Sequence, residues 1–394
     1  MRPTYLEVNL AQLKQNLENI RAHVAPAKVL VVLKANAYGH GVDGVAPFIA
    51  PHADYLGVAL VEEGIHLRKM GIAIPILVMG GTLPEQIAAF FEFDLTLAAS
   101  SLDLLIAAER FGESTRQRIK AHLKVDTGME RIGVHEYEAK TLIEKSLTCK
   151  HVEIEGVFTH FANSEVMALR GIKQSFPQTS PLLQLERFEE ILSIYENLTA
   201  PRPAIVHAAN SGATLLYPES YYDMVRPGLL FYGVYPARDI EKTIEVKPAL
   251  TWKSKVAYSK VTLPNRGVSY GSEWRSDAET RIVTIPCGYG DGYFRRMSNQ
   301  AQVIINGKKY PQVGRVCMDQ FMVNAGAAAV NAGAEAILLG EGITVEDFAD
   351  WAGTSVYEVM TNISARTPRV FPSSPTLPPQ GEGSLLSPLP AGEG

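Results

Sequence analysis

Cysteine is scarce in this chain. Cys149, Cys287 and Cys317 are the only three among 394 residues, and none belongs to a CxxC pair. That usage supports neither a disulfide framework nor a thiolate zinc centre, so a reducing cytoplasm and no metal are expected. Long apolar runs are missing as well. No stretch reaches the roughly 20 apolar residues that span a bilayer, and Met1 to Val8 holds no signal-peptide core. There is no basic block, and the formal net charge is −5, so neither nucleic acid nor an anionic membrane is an expected partner. With 46% hydrophobic and 20% charged residues the composition is that of a globular protein. It is too long for one small core, which implies two domains.

What is present is a regular alternation. Short apolar runs occur at Val29 to Leu33, Tyr55 to Ala59, Ile76 to Met79, Leu95 to Ala98, Ala121 to Val125, Ile154 to Phe158, Ala204 to Val206 and Asp223 to Val225. Amphipathic stretches such as Val61 to Met70, Pro84 to Phe91, Leu102 to Arg110 and Leu182 to Leu198 separate them. This pattern predicts an α/β fold, a (β/α)8 TIM barrel over residues 10–236, rather than an open doubly wound sheet. The fourth and seventh runs are short.

After Pro236 the pattern changes to strands with few helices: Thr251 to Val261, Arg281 to Ile285, Gln302 to Ile305 and Ala336 to Leu339. Asn306-Gly307 between two such runs signals a type I′ hairpin. A mostly-β C-terminal domain over residues 237–371 is therefore expected, and Tyr5 to Val8, cut off from the barrel by a helix over Leu10 to Val24, should join it as part of residues 1–9. Residues 372–394 are rich in Pro, Gly and Ser, with Ser374-Pro375 and Ser387-Pro388 opening two similar segments. They read as a disordered tail, with a peptide-ligand role as the lesser alternative.

In such a barrel the C-terminal ends of the strands carry the site. Lys34 follows the first strand, with Tyr38 a turn later. A lysine held where a strand leaves a packed core loses hydration; its pKa falls, and the free amine can condense with an aldehyde. Alone, it fits a snorkelling lysine equally well. Arg131 follows the fifth strand, His160 ends the sixth, Asn210 and Ser211 follow the seventh, and Arg226 ends the eighth. Singly, His160 reads as a satisfied core histidine and Arg131 as a solvated loop charge. Their convergence on one rim points to a site. The loops after the last two strands favour phosphate, Ser211 offers a hydroxyl beside helix-opening N–H groups, and Gly228 permits close backbone approach. A condensing lysine opposite a phosphate cradle points to pyridoxal 5′-phosphate.

The motifs VVLKANAYGHG, KVDTGMERIGV, FTHFANS, HAANS, MVRPGLLFYG, VSYGSEW, GYGDGYFRR, GRVCMDQ and YEVMTNISARTPRV run in that order from Val31 to Val370. Together they resemble the alanine racemases, pyridoxal-phosphate enzymes of fold-type III that interconvert L- and D-alanine. The resemblance implies Lys34 as the Schiff-base lysine and the base on the D side, and Tyr270 as the base on the L side. It implies a phosphate held by Tyr38, Ser211, Tyr357 and the backbone at Gly228 and Leu229, with His160 and Asn210 around the cofactor. Arg226 would face the pyridine nitrogen; its guanidinium only donates and keeps its proton, so the ring nitrogen would stay unprotonated. Arg131 would bond the phenolic oxygen and orient the substrate carboxylate, Met318 would meet that carboxylate through its backbone N–H, and Lys124 matches a lysine often carbamylated. Tyr289, Arg295 and Arg315 are similar to residues lining a narrow substrate mouth; a tyrosine-rich β surface explains them equally well. A homodimer is implied, with Tyr270 and Met318 supplied by the neighbouring subunit, and D-alanine made for peptidoglycan synthesis.

Racemisation takes a proton from one face of Cα and returns one to the other, which two weak acids such as Lys34 and Tyr270 could do once tuned downward. Competing readings are a pyridoxal-phosphate decarboxylase, which needs a carboxylate where Arg226 stands, a non-catalytic cofactor-binding protein, and a racemase of serine or lysine. Glu130 beside Arg131 has no assigned direction, and Cys287 and Cys317 read as small apolar residues.

Overall fold

The computed structural model describes residues 2–165 and 180–372. The expected tail beyond Pro372 lies outside the described residues.

The chain opens with β1 (Tyr5–Val8) and the helix Leu10–Val24, whose Asn9 cap accepts the Gln12 N–H at 3.0 Å. Leu10, Leu13, Leu17, Ile20 and Val24 share one buried face of that helix, as apolar residues at a 3.6-residue period must. Strands β2 (Lys28–Val32), β3 (Tyr55–Val58), β4 (Ile76–Val78), β5 (Thr96–Ala99), β6 (Ile119–Asp126), β7 (Val134–His135), β8 (Val152–Phe158), β9 (Ile205–His207) and β10 (Met224–Val225) follow. All but β7 form one parallel sheet in the order β10-β2-β3-β4-β5-β6-β8-β9, while β7 pairs with β6 to the side. Between β9 and β10 the Asp223 N–H reaches Val206 O at 3.0 Å and the Arg226 N–H reaches Ala209 O at 2.9 Å, which draws the sheet round into a barrel. Helices cover the outside and side chains fill the inside, so both faces of each strand are dry. This is why the strands read as continuous apolar runs rather than alternating ones.

The second sheet holds β11 (Leu250–Lys255), β12 (Tyr258–Thr262), β15 (Thr280–Ile285), β16 (Gln302–Ile305), β17 (Lys308–Val313), β18 (Phe321–Gly326), β19 (Glu335–Leu339) and β20 (Arg369–Val370), with β13 (Gly267–Val268) and β14 (Trp274–Arg275) pairing separately. As expected, β1 joins this domain, antiparallel to β11 and parallel to β20. Asn306 and Gly307 sit at φ 48° and 77°, the left-handed pair that a type I′ turn requires between β16 and β17.

One expectation needs correction. The run Thr251 to Val261 is two strands, because the chain changes neighbours between them. The Val256 N–H bonds Ala334 O at 2.9 Å and the Ala257 N–H bonds Thr284 O at 2.9 Å, so β11 lies beside β19 and β12 beside β15. The domain also holds two short helices, Val345–Ala352 and Val356–Thr361, started by Thr344 and Ser355, whose hydroxyls accept the Asp347 and Glu358 N–H groups. Caps make such short helices, where apolar periodicity has too few turns to show.

Candidate active site

Lys34 leaves β2 into a turn of the opposite hand to an ordinary helix. Ala35, Asn36, Ala37 and Tyr38 all have φ between 49° and 55°. A left-handed residue costs roughly 1–2 kcal/mol, so the surroundings must impose the turn. Glu63 Oε1 accepts the Ala35 N–H at 2.6 Å, Asn36 Oδ1 accepts the Val42 N–H at 2.8 Å, and Arg369 Nε from β20 donates to Gly39 O at 2.9 Å. The effect is to aim Lys34 and Tyr38 into one cavity.

That cavity, about 360 Å³, sits over the C-terminal ends of the barrel strands and gathers Lys34, Tyr38, Arg131, His160, Asn210, Ser211, Arg226, Gly228 and Tyr357. At one end the Tyr38 ring stacks on Tyr232 with centroids 5.0 Å apart and meets Tyr357 at 6.4 Å. A Cβ on Gly228 would stand 2.6 Å from the Tyr38 hydroxyl, so only glycine lets the loop approach. Ser211 accepts the Leu230 N–H at 3.4 Å, and Asn210 caps the helix Ser211–Leu216 through Ala213 N–H at 3.1 Å. Leu229 is fully buried and shows the cavity no side chain.

At the deep end Arg226 is enclosed. Its terminal nitrogens donate to His207 Nδ1 at 2.9 Å, Thr159 O at 2.8 Å and Ala208 O at 3.0 Å, and approach His160 Nδ1 at 3.3 Å. Since arginine only donates, His207 must accept at Nδ1 and carry its proton on Nε2, which then points to His122 Nδ1 at 2.8 Å. His122 in turn faces Glu155 at 3.6 Å. Burial, then the Arg226 cation, holds His160 and His207 well below the usual histidine range, so both are neutral acceptors at physiological pH.

Arg131 is placed by a residue the sequence reading did not single out. Asp126 Oδ1 accepts the Gly128 and Met129 N–H groups, both at 2.8 Å, and Oδ2 accepts the Arg131 N–H at 3.2 Å, folding the loop over the cavity. Gln184 was likewise unforeseen: it accepts the Ala162 N–H at 2.9 Å and donates to His160 O at 3.1 Å. The signal for Asp126 was available, since an Asp-Thr-Gly after a strand is an Asx turn. Gln184 carried none. Glu130 is exposed and faces His135 at 3.7 Å, away from the cavity. Burial pushes Lys34 down, helped by the Arg131 cation, and pushes the wholly buried Lys124 to about 7, while Lys124 donates to Val125 O at 2.8 Å.

Not every expected residue is here. Tyr270 and Met318 lie on the β domain, 71% and 52% exposed, outside the lysine cavity of their own chain. Tyr270 instead borders a separate open cleft of about 720 Å³ beside β12 and Cys317. Tyr289 is also exposed, and Arg315 pairs with Glu273. Cys287 is fully buried, as a small apolar residue would be.

A parallel eight-stranded barrel with a lysine and paired basic groups at its C-terminal rim, followed by a β domain, defines a two-domain barrel enzyme. Residues 8–236 match the family model of the alanine racemase N-terminal domain and residues 249–371 that of the alanine racemase C-terminal domain. The alanine racemase of Carboxydothermus hydrogenoformans is 43% identical over 380 residues, covering 94% of this chain and 100% of that one. The solved structure of alanine racemase from Clostridium difficile 630 superimposes with a TM-score of 0.86 at 35% identity, over 94% of this chain and 96% of that one. The structure from Bacillus anthracis with bound L-Ala-P gives 0.85 at 33% identity, over 94% and 95%. The chain belongs to the alanine racemase family and is an enzyme of the isomerase class. Among the described residues, no helix is long and apolar enough to cross a membrane.

Proposed function

We propose that this enzyme interconverts L- and D-alanine with pyridoxal 5′-phosphate held in the rim cavity, residues 10–236 forming the cofactor domain and residues 1–9 with 237–371 the second domain. The observation that carries the reading is a set of donors with no acceptor among the described residues. Lys34 Nζ, the Arg131 guanidinium, and the Tyr38 and Tyr357 hydroxyls all line the cavity without a hydrogen-bond partner among the described residues. Burial pushes both phenols up, Tyr38 to about 12, so they keep their protons and serve as donors. Unpaired donors around a cavity with a glycine-made recess fit a phosphorylated, carbonyl-bearing ligand.

On this reading Tyr38, Tyr357, Ser211 and the backbone at Gly228 and Leu229 hold the phosphate, Asn210 and His160 flank the ring, Arg226 meets its nitrogen, and Lys34 holds its carbonyl carbon. Bound there, the cofactor supplies an electron sink that acidifies the Cα–H of an amino acid. Arg131 orients the substrate carboxylate. Lys34, with its pKa lowered by burial, has more of its amine free at neutral pH to take or return a proton on one face of Cα. The opposite face needs a second acid–base group, and apart from Glu165 the described residues lining the cavity offer none that is not already used. In a homodimer the exposed Tyr270 suits that role and the Met318 N–H would meet the substrate carboxylate, each site taking the partner subunit's Tyr270 and the partner subunit's Met318. The product D-alanine would serve peptidoglycan synthesis in the cytoplasm.

A chiral assay of cofactor-loaded protein with L-alanine tests this, run beside Lys34→Ala and Tyr270→Phe. D-alanine from the wild type, with a loss of at least about a hundredfold in each variant, is expected. Bound cofactor without D-alanine, followed by turnover of serine or lysine, would replace the substrate. Silence on all of them would leave a cofactor-binding protein.

A further inference from the structure

The chain's second residue is tied to the substrate end of the β domain by an alternating row of charges. Arg2 grips Asp291 with both terminal nitrogens, each 2.6 Å from a carboxylate oxygen, and Asp291 is wholly buried. Arg366 lies on the other side of the same carboxylate, its Nε 3.4 Å from Asp291 Oδ1, and its second arm donates to Asp319 Oδ1 at 2.7 Å. Asp319 is the residue after Met318. The row runs Arg2, Asp291, Arg366, Asp319, positive and negative in turn.

The backbone runs alongside. Asp291 Oδ2 accepts the Gly288 N–H at 3.0 Å, the Tyr289 N–H bonds Cys317 O at 3.0 Å, and the Gly290 N–H bonds Met318 O at 2.9 Å. A Cβ on Gly290 would stand 3.1 Å from Met318 O and closer still to the Arg366 guanidinium, so a side chain there would push Arg366 aside and crowd the loop contact. Across the tip of the turn the Cys317 N–H bonds Gln320 O at 2.9 Å. The Cys317 carbonyl is thereby fixed inward on the Tyr289 N–H, and the Met318 N–H, on the opposite side of that same planar peptide, is left without a partner among the described residues.

We infer that Arg2, Asp291 and Arg366 are positioning residues for substrate binding: they hold the 317–320 turn so that the Met318 N–H faces the α-carboxylate of the amino acid in the neighbouring subunit's site. The inference rests on the reading of Met318 given above. A buried bidentate arginine is a stiff anchor, and Arg366 carries its register to the turn through two carboxylates at once. None of these residues reaches the rim cavity, so none handles the cofactor or the proton.

Arg366→Gln tests this without emptying the buried Arg2–Asp291 pair. The expected result is a KM for alanine raised about tenfold, with kcat within about threefold, unchanged cofactor content and an unchanged dimer. Propionate, an alanine skeleton without the amine, should weaken as a competitive inhibitor by the same factor. Arg2→Gln should do likewise with an added fall in Tm. A role in folding alone would lower Tm and active fraction and leave KM and the propionate constant where they were, which would overturn the inference. Met318→Pro, which deletes the N–H, separates the two ideas. If it too raises KM and the propionate constant, the reading of Met318 stands and Arg366→Gln judges the row. If it leaves both unchanged, the reading of Met318 fails, and the row falls with it.

Discussion

Arg226 spends its terminal nitrogens on His207, Thr159 and Ala208, which leaves its Nε–H without a partner among the described residues. A buried cation beside two neutral histidines cannot protonate a pyridine nitrogen; it can only donate to it. On the proposed reading that would restrain the cofactor ring as an electron sink and keep the chemistry at proton exchange. Replacing Arg226 by glutamate should cut racemisation by about a hundredfold or more and bring up a new visible absorption band as charge is drawn into the ring. Loss of activity with an unchanged spectrum would count against the role. Gly228 gives a gentler test at the cavity's other end. In Gly228→Ala the new methyl would meet the Tyr38 hydroxyl at 2.6 Å, so phenol and loop must part. Cofactor affinity should fall about tenfold, or 1.4 kcal/mol, with little change in Tm. Equilibrium dialysis of the two proteins would decide it.

At the scale of elements the lysine turn is the least legible part of the fold. Lys34-Ala35-Asn36-Ala37 reads as right-handed helix by propensity, and the left-handed turn comes from Glu63 and Arg369, both distant in sequence, together with Asn36 inside the turn itself. The strand-end residues were legible because a barrel's topology sends each of them to one rim. The helix bearing Tyr357 was not, because a six-residue helix leaves only its Ser355 cap to announce it. The turn predicts an inverted glycine effect. Ala35 is exposed at φ 53°, so Ala35→Gly should raise stability by about 0.5–1 kcal/mol, where an ordinary helix would lose as much. Thermal melts with Ala35→Val as the opposite control would show it. A second element-level device crosses the barrel, from His207 on β9 through His122 on β6 to Glu155 on β8. Contact with His122, then Lys120 and Tyr55, holds Glu155 at about 2 against a usual 4.5. A carboxyl depressed in the folded state adds stability that is full above its unfolded value and lost as pH falls through its folded one. Between about pH 4.5 and 2 the wild type should therefore lose about 1–2 kcal/mol that Glu155→Gln never had, the shift being discounted for partial exposure. Parallel melt profiles in that window would remove the idea.

On the proposed reading a single copy of the molecule does not complete a site. Its lysine cavity and its Tyr270 sit on different domains, and Tyr270 shares the open cleft of the β domain with the exposed Val261 and Leu263. Large apolar side chains gathered around an open cleft suit an interface between copies. Only the resemblance set Tyr270 opposite Lys34; periodicity and packing within one chain could not, since on the proposed reading that adjacency belongs to a pair. If each site joins the lysine of one subunit to the tyrosine of the other, two dead variants can repair each other. Lys34→Ala and Tyr270→Phe, separately inactive, would form a mixed dimer in which one site carries both lesions and the other carries neither. Random exchange makes half the dimers mixed, so about a quarter of all sites, and about a quarter of wild-type activity, should return. Exchange would be followed with differently tagged subunits, and racemisation measured at each stage. If each chain instead supplied both of its own bases, every site would keep one lesion. Activity would then stay absent however completely the subunits mixed.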